Sequence, residues 1–275
     1  MSRRAEVLIA ATQLAELIAA AEPVTIVDVR WQLTRPDGRD AYESGHIPGA
    51  VYVSLEDELT DHSVAGRGRH PLPSGRNLEA AARRWGVREG VPVMVYDDWN
   101  RAGSARAWWV LTAAGLADVR ILDGGLGAWL AVGGQLESGN VTQPPGDVTV
   151  RHDDLYAGAR RTLSAQQATE AVLLDARAPE RFRGDVEPVD PVAGHIPGAK
   201  NLPSSALLGA DGTFRSEREI LGLLGGADDV GVYCGSGVTA AVTVAALATA
   251  GVDAALFPGS WSEWVGDPSR AVARG

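Results

Sequence analysis

The 275-residue chain is written twice. The hexapeptide GHIPGA at 45–50 recurs unchanged at 194–199, DVRWQL at 28–33 is answered by DARAPE at 175–180, and VMVYDD at 93–98 corresponds to VGVYCG at 230–235. LDGGLGAWL at 122–130 is echoed by LFPGSWSEWV at 256–265. Four matches in one order, with intervening loops of unequal length, imply two copies of a single fold.

Each copy alternates short apolar runs with helix-like segments. TIVDVR and VLLDAR read as strands ending in charge, and PVMVYD and DVGVYC as strands buried on both faces. SARAWWVLTAAG and VTAAVTVAALATAG follow the latter pair as helices, each closed by a glycine, Gly115 and Gly251. Buried strands joined by crossover helices give an α/β fold, each copy a mainly parallel sheet flanked by helices on both faces. The Pro144-Pro145 stretch marks a linker at 139–154, between a first domain at 1–138 and a second at 155–275.

A net charge of −10 argues against nucleic acid or an anionic membrane as partner. The N-terminal arginine pair and apolar stretch outline a signal peptide, but Glu6, Gln13 and Glu16 interrupt it. Leu8, Ala11, Leu14, Ala15 and Ile18 instead fall at helical spacing, so an amphipathic first helix is expected. One cysteine permits no internal disulfide, which fits a reducing compartment, and no apolar run approaches the length of a membrane span, so a cytoplasmic chain with no membrane partner is expected.

That cysteine, Cys234, ends a strand and begins the turn CGSGVTA before a helix. Open α/β sheets place ligands at such carboxyl ends. Gly235 and Gly237 leave backbone N–H groups uncovered at the positive end of the helix, a setting that favours an anion. The bland alternative is an inert buried thiol. GSGVTA also fits a dinucleotide-binding fingerprint, but Asp253 precedes the next strand rather than ending it. A cysteine phosphatase would need an arginine where Ala240 stands, and Ser236 lies outside any G-x-S-x-G elbow. In the first copy Asp97 occupies the cysteine position, so one copy carries a sulfur nucleophile and the other does not. The Asp97–Asp98 pair lacks the neighbours a metal site would need.

Together with GRDAYESGHIPGA, RAWWVLTAAG, RFRGDVEP and GSWSEW, the active loop resembles the tandem rhodanese-type sulfurtransferases, and CGSGVTA is similar to the loop of their 3-mercaptopyruvate branch. The resemblance implies a ping-pong reaction without cofactor or metal. Cys234 takes sulfur from a small donor as a persulfide cradled by Gly235, Gly237, Val238 and Thr239, then yields it to a thiol acceptor such as thioredoxin or to cyanide. Thiosulfate-specific relatives carry basic side chains just after the cysteine, where Gly235 and Ser236 stand here, which favours mercaptopyruvate over thiosulfate. Arg181 matches the family arginine that binds the donor carboxylate. A second such arginine is replaced by Val189, and Arg183 is the expected substitute. Ser236, His46 and Asp40 match that branch's proton relay, with His195, the twin of His46, in a structural part. Asp28 and Asp175 read as loop ties, the tryptophans of the helices as packing, and Trp99 as a residue able to line the cleft. The rival from another class is a persulfide carrier or redox sensor without turnover.

Overall fold

A computed structural model describes residues 2–275. The first sheet holds five parallel strands: β1 (Leu8–Ile9), β2 (Thr25–Asp28), β3 (Val51–Tyr52), β4 (Val93–Tyr96) and β5 (Val119–Leu122), in the order β1-β5-β4-β2-β3. The second holds four: β6 (Val172–Asp175), β7 (Lys200–Asn201), β8 (Val230–Tyr233) and β9 (Ala255–Leu256), in the order β7-β6-β8-β9, again all parallel. The orders match strand for strand except for β1.

That strand corrects an expectation. Leu8 and Ile9 do not belong to one amphipathic helix. They separate a short helix, Arg3–Val7, from a longer one, Ala11–Ala19, and pair with Ile121 and Leu122. Two adjacent apolar residues bury both faces at a sheet edge, which a helix face at that position would not do. No helix among the described residues is long and apolar enough to cross a membrane.

Strand alternation sorts the core into layers. Val93 and Val95 face one side of the first sheet with Val27 and Ile121, while Met94 and Tyr96 face the other with Ile26, Leu122 and Trp129. The inner layer runs on into the second copy through two equivalent helices, Ala102–Ala113 and Thr239–Thr249, which pack on each other. All twelve residues of the first are buried, including Trp108 and Trp109, as expected of a helix with no polar face. Truncating either tryptophan to alanine would cost about 3–5 kcal/mol. The stretch 139–154 lies along the first copy: Gly146 donates to the Arg83 carbonyl and Arg151 to that of Ala114.

The repeated motifs make repeated contacts. Asp28 and Asp175 hold Arg30 and Arg177 in buried ion pairs, and those guanidiniums donate to the carbonyls of Gly45 and Gly194 at the head of each GHIPGA turn. The Tyr96 and Tyr233 hydroxyls accept from Ile47 and Ile196 in the same turns.

Candidate active site

Strand β8 delivers Cys234 to the carboxyl edge of the second sheet, where the residue is 2% exposed. The turn is held on both flanks. Cys234 donates its N–H to Ser260 Oγ (3.1 Å), and its carbonyl accepts from Trp261 (3.0 Å). Gly237 adopts φ +81°, and a Cβ there would stand 2.3 Å from the Pro258 carbonyl oxygen, so only glycine fits. That conformation points the Gly237 N–H at Cys234 Sγ, 3.2 Å away. Val238 is buried behind the loop, and Thr239 opens the 239–249 helix. A single amide therefore contacts the sulfur directly.

Ser236 reaches across the domain boundary. Its Oγ lies 2.7 Å from Nδ1 of His70, whose Nε2 lies 3.1 Å from Glu56 Oε1. An ionised carboxylate only accepts, so His70 donates from Nε2 to Glu56 and offers Nδ1 to the serine hydroxyl. Burial would raise the Glu56 carboxyl, but hydrogen bonds from His70, Trp31 and His62 and the charge of His70 bring it down to about 2. Burial dominates at His70 itself and lowers its imidazole against the pull of Glu56. The neutral form is therefore the resting one, and it can act as a base. The segment carrying His70 is clamped by Arg106, whose buried guanidinium donates to the carbonyls of Leu59 and His70 and is lowered to about 10 by burial.

His46 and Asp40 are not brought to Ser236. His46 Nδ1 meets the Tyr42 carbonyl at 2.9 Å, its ring stacks on Tyr42, and its backbone pairs with Glu137. His195 repeats this arrangement with Phe182 and Ala273. Asp40 is exposed in the helix Arg39–Ser44. Sequence reading passed over His70 and Glu56 because they sit outside the repeated motifs, His70 in the stretch GRGRHPLP. The available signal was a histidine next to an arginine in a glycine- and proline-bounded loop.

Two guanidiniums border the loop. A methyl group on Gly235 would stand 3.0 Å from Arg69 Nη2 and 3.6 Å from both terminal nitrogens of Arg181. Arg69 is paired with Asp190, and Arg181 with Glu187 (2.6 Å) and Asp190 (3.5 Å). Val189 is exposed, and Arg183 pairs with Asp185 at the surface. The second cation at the site thus comes from the first copy, as Arg69, and not from Arg183.

In the first copy, the matching turn is closed by its own side chain. Asp97 accepts from the N–H groups of Trp99, Arg101 and Ser104 and from the Ser104 hydroxyl (2.6 Å), and it pairs with Arg101. A fixed carboxylate fills the cradle that holds sulfur in the other copy. Trp99 is exposed beside Ser204 and Leu208, in a hollow separate from Cys234.

The family described as rhodanese-like domain matches residues 10–132 and again 159–267. The chain belongs to the rhodanese family. It is 66% identical, over all of its length and 99% of the relative's, to the putative thiosulfate sulfurtransferase SseB of Mycobacterium tuberculosis. It is 43% identical to the probable 3-mercaptopyruvate sulfurtransferase of Pseudomonas aeruginosa, covering 98% of each chain. Among solved structures it resembles 3-mercaptopyruvate sulfurtransferase from Leishmania major (TM-score 0.84, 30% identity, 95% of this chain and 75% of that one). It also resembles SseA from Escherichia coli (TM-score 0.80, 34% identity, 93% and 98%). This rhodanese-family chain is therefore a sulfurtransferase that carries sulfane sulfur as a cysteine persulfide, and Cys234 is its one cysteine.

Proposed function

We propose that the protein moves sulfur from 3-mercaptopyruvate to a thiol or to cyanide through a persulfide on Cys234. The observation that carries this reading is the Ser236–His70–Glu56 chain beside the sulfur. The Cys234 thiolate attacks the donor sulfur, the C–S bond breaks, and its electron pair leaves as the pyruvate enolate. Ser236, backed by His70, takes the proton of the donor thiol and returns one to the enolate carbon. Pyruvate departs, and the anionic persulfide remains against the Gly237 amide. An acceptor then attacks the outer sulfur and restores the thiolate. Arg181 and Arg69 are the groups placed to hold the donor carboxylate.

Thiosulfate is the second reading, and the name carried by the 66% identical relative favours it. Attack on thiosulfate breaks an S–S bond and releases sulfite with the electron pair, so no proton moves. This difference gives the test. Protein is supplied with each donor and an acceptor, pyruvate or thiocyanate is followed, and intact mass is recorded. Mercaptopyruvate turnover that falls in S236A and H70Q while thiosulfate turnover holds supports the relay reading. Thiosulfate turnover alone moves the assignment to the second reading, stable loading without turnover moves it to a carrier, and sulfur transfer by C234S sinks all three.

A further inference from the structure

The two guanidiniums beside the Cys234 loop are already occupied. Asp190 bridges them, one carboxylate oxygen on Arg69 and the other 3.5 Å from Arg181. Glu187 is the second anion there, and it is built in: it pairs with the buried Arg177 and accepts the N–H groups of Val189 and Asp190. Asp190 is held more loosely. Its side chain is 4% exposed, yet Oδ2 has no hydrogen-bond partner within range. Burial, with Glu187 adding, raises its carboxyl against the pull of Arg69 and Arg181. Val189, next to it, supplies no charge where the resemblance expects an arginine.

We propose that Asp190 is a specificity-determining residue that ranks sulfur donors by charge. It caps Arg69 and Arg181, so an incoming anion must displace or repel it, and a dianion suffers more than a monoanion. With two cations matched by two carboxylates, the donor end of the site is close to neutral. Acceptance of a monocarboxylate such as mercaptopyruvate over thiosulfate then follows from this pocket, whatever the composition of the loop. The inference rests on the reading above that the Arg69–Arg181 end receives the donor anion.

The test uses full-length C234S protein, titrated calorimetrically with pyruvate and with thiosulfate at constant ionic strength. Asp190→Asn keeps the shape and removes the charge. The expected result is tighter binding of both anions, by about tenfold for each unit of ligand charge, so that thiosulfate gains roughly tenfold more than pyruvate. The gain shrinks as salt rises. D190S repeats the measurement without the amide, and thermal melting confirms that both variants fold. In protein retaining Cys234, D190N raises the thiosulfate-to-mercaptopyruvate ratio of kcat/KM by a similar factor. D185N, which removes an exposed charge paired only with Arg183, should leave the ratio unchanged. Equal gains for both anions, no gain, or the same effect from D185N would overturn the proposal. Pyruvate binding that ignores R181K would instead place the donor elsewhere and sink the reading beneath it.

Discussion

Replacing Glu56 with glutamine tests the relay and its electrostatics together. The carboxylate accepts from Trp31 Nε1 (2.7 Å), His70 Nε2 (3.1 Å) and His62 Nε2 (3.1 Å), with about a quarter of the side chain exposed. Glutamine keeps the volume but offers one accepting oxygen and an amide that opposes a donor. The depression of the carboxyl from 4.5 to about 2 sets a ceiling of about 3 kcal/mol on its linked stability. A charged His70 supplies part of that depression, whereas burial keeps the ring neutral, and solvent screens the exposed oxygen. A loss of about 1–2 kcal/mol at pH 7 is the result. A depressed carboxyl stabilises fully above its unfolded value of 4.5, and the contribution fades as pH falls toward 2. Urea denaturation of wild type and E56Q at pH 7, 5 and 3 should therefore show a gap that is full at the first two and narrowed at the third. Mercaptopyruvate turnover should fall about 100-fold, at the low end of what positioned acid–base groups supply, with thiosulfate turnover nearly unchanged. A stability gap as wide at pH 3 as at pH 7, or equal losses on both donors, would refute the reasoning.

The two histidines should separate cleanly. H46N is expected to lower the melting temperature by several degrees and leave donor preference intact, because its ring holds the GHIPGA turn. H70N should do the reverse to mercaptopyruvate turnover; equal effects of the two on donor preference would count against the assignment. G237A places a methyl 2.3 Å from the Pro258 carbonyl at positive φ, so persulfide loading followed by mass spectrometry should slow at least tenfold and stability should drop by about 1–3 kcal/mol.

The fold was legible because repetition reports shared architecture. The turn GHIPGA recurs because each copy needs a guanidinium on its first carbonyl, a tyrosine on its isoleucine amide and a histidine ring stacked beneath it. That same repetition misdirects a search for chemistry. His46 stands out in sequence because His195 answers it, and each ring is spent on the same contacts, a backbone carbonyl and an aromatic ring that hold its turn. Function lies where the copies part. Asp97 faces Cys234 across the repeat, an internal carboxylate in one amide cradle and a transferable sulfur in the other. His70 and Arg69 come from a loop with no counterpart among the repeated motifs, and His70 meets Ser236 across 166 residues of chain. Such a contact leaves no periodicity, spacing or local propensity to read. It depends on the helices 102–113 and 239–249 packing face to face, so the first copy, which has no cysteine, brings His70, Glu56 and Arg69 to the Cys234 loop of the second, the groups to which the proposed function gives the proton relay and half of the anion site.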